Sequence, residues 1–371
     1  MPRGAFQKNV EKYRGDRYSK GFGCWDQLVV MVYAQLSAAR SLREIEAGFN
    51  QHRSQHYHLG TRSVHRTTLS DANLKRNPQI FADTALALMQ QAGCAARKHR
   101  DEMLYLLDST SIALRGRGSQ WTKPTATRTP GLKLHLLYDC KSQLPRQHSI
   151  THANINDVDE GRRVPIEPGA TYVFDKGYCD YNWWGRIEAA GARFVTRLKT
   201  NAAVTVLDSS RVLHANILSD EQVRFANRSC RGGHRNLYTG VLRRIRVERP
   251  GDQPLVLVTN DLTAAAEEIA SLYKDRWQIE LFFKWIKQHL SVKRFVGESE
   301  NAVRIQLLTA LIAYLLVAIL NRAQGARRSL WMALAELRAG LFQRPTSELT
   351  AWRRRKKRRE ELGALQRGLF Q

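Results

Sequence analysis

Fourteen consecutive residues, Leu307 to Leu320, carry no charge, and this run constrains the fold more than any other. A helix that is apolar on every side has to be buried. The run is also shorter than the ~20 residues needed to cross a bilayer. It reads as a buried helix, packed among the other elements of the chain. Those elements change character along the chain. Residues 1 to about 100 read as helical throughout, whereas apolar runs with strand-like patterning begin near residue 102.

In the first hundred residues, WDQLVVMVYAQLSAA (25–39) has helical periodicity. Ser41 and Glu44 form a capping-box pattern that starts a second helix at 42. SVHRTTLSDAN (63–73) reads as a third helix, and Asn77-Pro78 opens a fourth. Short helices joined by polar turns resemble a helix-turn-helix type of DNA-binding unit. The third segment carries Arg62, His65, Arg66, Lys75 and Arg76. Of these, Arg62, His65 and Arg66 are the expected DNA contacts.

Strands follow in EMLYLLDSTSIAL (102–114), GLKLHLLYD (131–139), LPRQHSITHA (144–153) and ATYVFDKGY (170–178). A helix, NWWGRIEAAG (182–191), and a further strand, RFVTRL (193–198), complete an α/β layer. Residues 199–262 return to strand-like patterning, with turn signals at SCRGG (229–233) and Pro250-Gly251. VLRRIRVE (241–248) and PLVLVTN (254–260) are the clearest strands there. One long helix, AAAEEIASLYKDRWQIELFFKWIKQHL (264–290), then precedes the apolar run.

Charge narrows the partner. There are 59 Lys and Arg against 34 Asp and Glu, a formal net charge of +25. An excess of this size, spread over the whole chain, suits a nucleic acid better than a membrane surface. The run of seven cations from Arg353 to Arg359 reads as a solvated segment that adds salt-sensitive affinity for DNA. The five cysteines are widely spaced and contain no Cys-x-x-Cys, so they supply neither a disulfide framework nor a zinc site. No apolar signal core stands near residue 1. The expectation is a cytoplasmic, DNA-associated protein with no membrane partner.

Candidate chemistry lies on the long helix. Tyr273, Arg276, Glu280 and Lys287 follow one another at spacings of three, four and seven residues. At about 100° per residue they fall at roughly 0°, 300°, 340° and 320°, with Lys284 at roughly 20°. One stripe therefore sets a carboxylate among cations and a phenol. On an ordinary surface this would be salt-bridge lacing, worth a few tenths of a kcal/mol per pair. In a phosphoryl-transfer site the carboxylate would hold a metal and the cations would grip phosphates. Asp108 closes the apolar run Met103–Leu107, and Asp175 follows Tyr172, Val173 and Phe174. A strand-ending Asp is also a common turn former or helix N-cap. Spacing alone leaves both readings open for these two residues.

The pattern Tyr273-x2-Arg276-x3-Glu280-x6-Lys287 resembles the Tyr-Arg-Glu-Lys signature of a large group of bacterial insertion-sequence transposases of the DDE class. LLDST around Asp108, VFDKGY around Asp175 and SLREI near 41–45 agree with it, and the resemblance covers roughly 20–325. It implies an α/β, ribonuclease-H-like core of mixed sheet and flanking helices. The expected units are a helical N-terminal DNA-binding domain (1–100), core segments at 101–198 and 263–325, a β-rich insertion at 199–262, and a basic helical C-terminal tail (326–371). It further implies that Asp108, Asp175 and Glu280 bind two Mg²⁺ ions, with Mn²⁺ able to substitute. Tyr273, Arg276, Lys284 and Lys287 would bind DNA, and the protein would act on element ends and target DNA as a homodimer. The implied reaction is hydrolytic nicking followed by attack of the freed 3′-hydroxyl on another phosphodiester. Some members excise through a hairpin, using a tryptophan in the insert; here no tryptophan lies between 199 and 262. Trp183 and Trp184 read as core residues. The alternatives left open are a related nuclease without strand transfer, and a DNA-binding regulator or inactive copy.

Overall fold

The computed structural model describes residues 3–96, 103–114, 117–122, 130–212, 214–226, 235–325 and 328–342. Its N-terminal part is helical: α1 Arg3–Lys12, α2 Cys24–Ser37, α3 Leu42–Asn50, α4 His56–Leu59, α5 Arg66–Lys75 and α6 Gln79–Ala96. The capping signals act where the sequence puts them. Ser41 Oγ accepts from the Glu44 amide at 3.2 Å, and Asn77 Oδ1 accepts from the Gln79 amide at 2.9 Å. The Glu44 carboxylate closes its half of the box one residue early, on the Arg40 amide at 2.8 Å.

Among the described residues a nine-stranded sheet follows. Strands β1 Leu104–Ala113, β2 Gly131–Asp139 and β3 Leu144–His152 form an antiparallel meander. After α7 Asp157–Gly161, β4 Thr171–Phe174 lies parallel to β1; after α8 Tyr181–Ala189, β5 Arg193–Arg197 lies parallel to β4. The β-rich stretch supplies β6 Val204–Ser210, β7 Ile217–Phe225, β8 Leu242–Val247 and β9 Leu255–Thr259. These extend the same sheet, because β9 pairs antiparallel with β5. The strand order is β3-β2-β1-β4-β5-β9-β8-β7-β6. The SCRGG turn and the Arg353–Arg359 run lie outside the described residues.

Strand alternation sorts the sheet residues onto two faces. Leu104, Leu106, Val173 and Val195 pack in one apolar cluster with the helical N-terminal part and with the last long helices. Tyr105, Leu107, Tyr172, Phe174 and Phe194 pack in the other, with Trp183 and Trp184. Both tryptophans are buried, as a core reading requires.

Three local expectations change. First, Asp108 does not end its strand: β1 runs through it to Ala113, within the expected 102–114 strand, because Ser109–Ala113 keep their pairing with β2. A polar sequence ends an apolar run without ending a strand when the neighbour still satisfies its backbone. Second, the helix expected over 264–290 is two: α9 Ala266–Asp275 and α10 Trp277–His289, joined at Arg276. There the Arg276 amide reaches back three residues to Tyr273 O, at 3.2 Å, and tightens the turn. The join lets α9 pack across β4, β5, β7 and β8 while α10 packs on β1. Third, the apolar run is the middle of a 24-residue helix, α11 Glu300–Ala323, which by length and composition alone would suffice to cross a membrane. Here it is packed inside the fold, buried along most of its length from Ala302 to Asn321, with α12 Leu330–Ala339 following.

Candidate active site

The parallel register of β1 and β4 pairs Leu107 with Phe174, so the next residues, Asp108 and Asp175, come level at the end of that pairing. By alternation Asp108 shares a face with Leu106, and Asp175 with Val173, the face that α9 and α10 cover. Asp108 is thus held in mid-strand with its backbone clamped by β2, and Asp175 stands just beyond β4.

The stripe meets them there. Tyr273 Oη donates to Asp175 Oδ1 at 3.2 Å, and Arg197 Nη1, at the end of β5, lies 3.7 Å from the same oxygen. Arg276 forks between the other two carboxylates. Its Nη2 donates to Glu280 Oε1 at 2.6 Å, and its Nη1 stands 3.6 Å from Asp108 Oδ2. Its guanidinium also sits over the Tyr273 ring, 5.7 Å from the centroid. Asp108 Oδ1 accepts from the Ser109 amide at 2.8 Å.

Electrostatics reports a shared site. Burial, with Glu280 and Asp175 adding repulsion, pushes the Asp108 carboxyl up to about 6 against the opposing pull of the Ser109 N–H and Arg276. Burial and the nearby Asp175 charge push the Tyr273 phenol up to about 12. Among the described residues no three His, Cys, Asp or Glu side chains stand close enough to hold an ion as they are placed. The donor set nevertheless fits a hard divalent cation. It is all carboxylate oxygen, and the burial that chiefly raises Asp108, with the smaller repulsion from Glu280 and Asp175, is what added positive charge would offset.

Other expected residues fall differently. Lys284 is exposed on the flank of α10, and half-buried Lys287 lines a neighbouring cleft. Burial, then Lys293, lowers the Lys287 ammonium below its usual range. Arg62, His65 and Arg66 are exposed on the N-terminal helical part and are not brought to the carboxylates; His65 Nδ1 lies 3.3 Å from Glu46. Lys75 pairs with Asp71, and Arg76 turns inward, donating to Gly23 O at 2.9 Å, to Gln27 Oε1 at 3.0 Å and to Phe22 O. Arg76 is therefore structural. Asp157, on the opposite face of the sheet, accepts from Ser109 Oγ at 2.7 Å and from Lys133 at 3.1 Å. Sequence reading missed Arg197; its place at the end of the strand that follows Asp175 was the available signal.

Relatives carry related descriptions. Residues 99–316, more than half the chain, match the family model described as a transposase DDE domain, and residues 1–62 match a domain of unknown function. The putative transposase y4zB of Sinorhizobium fredii is 44% identical over 259 residues, covering 68% of this chain and 71% of its own. The probable transposase of insertion sequence element IS5377 from Geobacillus stearothermophilus is 29% identical over 218 residues, covering 58% and 55%. Among solved structures, the piggyBac transposase synaptic complex with hairpin DNA aligns at a TM-score of 0.48 and 9% identity, covering 92% of this chain and 79% of that one. That likeness is too distant to bear on the site. With a family match over more than half its length and a close relative across two thirds of it, the chain belongs to the DDE transposases.

Proposed function

We propose that this transposase cuts DNA at the ends of a mobile element and joins the freed 3′-hydroxyl to target DNA, with Asp108, Asp175 and Glu280 as its metal-binding triad. The observation that carries the reading is the single guanidinium, Arg276, shared by Asp108 and Glu280. Carboxylates brought together from a strand and a distant helix, at the cost of raising one of them, are the signature of a site kept for chemistry. The meander β3-β2-β1 with parallel β4 and β5 supports a ribonuclease-H-like core, and the family's Tyr-Arg-Glu-Lys subgroup is the one the stripe fits.

Two Mg²⁺ ions, or Mn²⁺ in their place, held by the three carboxylates would activate the attacking oxygen and stabilise the leaving one. The protein's own groups position and neutralise. Tyr273 fixes the Asp175 carboxylate from above, and Arg197 adds a counter-charge from the sheet. Arg276 and Lys287 supply positive potential along the path of the phosphates, with Lys284 at its exposed flank. In the first reaction a water oxygen bonds to phosphorus and the P–O3′ bond breaks, leaving a 3′-hydroxyl. In the second that hydroxyl oxygen attacks a target phosphorus and displaces the target's own 3′-oxygen. We assign the exposed Arg62, His65 and Arg66 to end binding, and expect a homodimer in the cytoplasm, because two ends have to be joined together.

Purified protein incubated with a labelled element end and Mg²⁺ or Mn²⁺ tests the reading. Asp108→Ala, Asp175→Ala and Glu280→Ala should each abolish nicking and joining while end binding survives. Undiminished metal-dependent cleavage in any one of them removes that residue from the triad.

A further inference from the structure

Beside the carboxylates lies a cleft of about 690 Å³ into which four cations from three parts of the chain converge. Lys287 comes from α10, Lys293 and Arg294 from the segment after it, and Arg40 from the turn between α2 and α3. Ser111 of β1 lies on its wall and Glu298 is the acidic residue among those lining it. Among the described residues no acidic side chain stands within ion-pair distance of any of the four cations. Like charges gathered at one cleft and not ion-paired repel one another, and Lys287, lowered first by burial, is lowered further by Lys293. The arrangement is also built rather than accidental. Buried Gln306 donates to Ser291 O at 2.6 Å and to Arg294 O at 2.7 Å, and accepts from the Val296 amide at 2.9 Å. Gln35 of α2 accepts from the Ser291 amide at 2.8 Å, tying the same segment to the N-terminal helices.

Its position relative to the triad follows from element geometry. α10 packs on β1, with Arg276 and Glu280 at the level of Asp108 and Lys287 at the level of Ser111. From Asp108 to Ser111 the strand advances roughly 10 Å, at about 3.3 Å per residue. From Glu280 to Lys287 the helix advances roughly 10 Å, at about 1.5 Å per residue. The two elements run side by side in the same sense, so the cleft begins about 10 Å from the carboxylates. Along one DNA strand that is one to two phosphates, because successive phosphates rise only about 3.4 Å along the helix axis but stand about 6–7 Å apart through space.

We propose that this cleft seats the phosphodiester backbone of the cut strand one to two nucleotides from the scissile bond, and that Arg40 and Lys293 are phosphate-positioning residues of the reaction. The N-terminal helices thereby contribute directly to the catalytic groove, in a region, residues 1–62, whose family description assigns no function. The proposal rests on the transposase reading above and adds to it a path for the strand and a role for Arg40.

The test uses the full chain and a fluorescein-labelled duplex carrying the terminal sequence that borders the coding region, in EDTA, by fluorescence anisotropy between 50 and 200 mM salt. Removing two phosphate contacts with Arg40→Ala/Lys293→Ala should flatten the salt dependence by about 1.8, at about 0.9 per contact. Over that fourfold range the double variant should therefore lose about twelve-fold less affinity than the parent. A neutral methylphosphonate placed one or two nucleotides from the cut should weaken parent binding and leave the double variant unaffected. Arg40→Lys should restore the slope, as a point charge on phosphate suffices there. An unchanged slope in a variant that melts like the parent overturns the proposal, as does equal sensitivity of both proteins to the methylphosphonate. Cleavage by the parent with Mg²⁺ is read separately. Its absence would count against the triad, while the EDTA binding arms still decide the cleft.

Discussion

Asp108→Asn should make the metal-free protein more stable while destroying its activity. The Asp108 side chain is 21% exposed, sits 3.6 Å from Arg276 and shares its surroundings with Asp175 and Glu280. Its carboxyl is raised from 3.8 to about 6, with burial the largest cause. A carboxyl raised on folding binds its proton more tightly in the folded state, so stability falls as pH rises from about 4 to 6. Above that window the ionised group carries the full cost, about 3 kcal/mol at about 1.4 kcal/mol per factor of ten. Asparagine keeps an oxygen for the Ser109 amide and removes the charge, but Arg276 then loses one of its two carboxylates. The net gain at pH 7 should be between about 1 and 3 kcal/mol, or a few degrees in melting temperature. Urea unfolding in EDTA at pH 7 and at pH 4 reads it, with the gain shrinking at the lower pH. Mg²⁺ should stabilise the parent by mass action and the variant much less. A variant less stable than the parent at pH 7, or a gain of equal size at both pH values, would refute the electrostatic account of this site.

Three further outcomes follow from the contacts. Lys287→Met should weaken DNA binding and reduce its salt slope by about 0.9, while Mn²⁺ affinity measured calorimetrically stays near the parent value. Arg76→Ala should cost about 2–3 kcal/mol of stability, because three oxygens lose a charged donor; guanidinium unfolding checks it, and a neutral result would return Arg76 to the surface. Gln306→Leu strips three hydrogen bonds from the 291–296 segment. It should cost roughly 3 kcal/mol and raise hydrogen exchange at Val296 and its neighbours; unchanged exchange would show that the segment is held by other contacts.

The comparison of sequence with structure turns on range of interaction. Ser41, Asn77-Pro78, the alternating GLKLHLLYD and the uncharged 307–320 run were each legible, because caps, strand alternation and the burial of a wholly apolar helix depend on residues a few positions apart. The stripe of Tyr273, Arg276, Glu280 and Lys287 was legible for the same reason: helical spacing is local. What neighbouring residues cannot encode is which strand satisfies a backbone. Pairing with β2 carried β1 past Asp108, and pairing of β9 with β5 merged the β-rich stretch into one sheet. Arg76 looked like its exposed neighbours until Gln27 of α2 and the two residues before that helix offered it three oxygens some fifty residues away in sequence. The sequence by itself thus determined most of the elements, the charge and the chemical types of the candidate site. Tertiary structure alone decided that Asp108 and Asp175 stand level, that Arg276 bridges Asp108 to Glu280, and that Arg40 reaches the cleft beside Lys287. Those juxtapositions are set by strand register and by helix packing against the sheet, both of which exist only once distant segments have met.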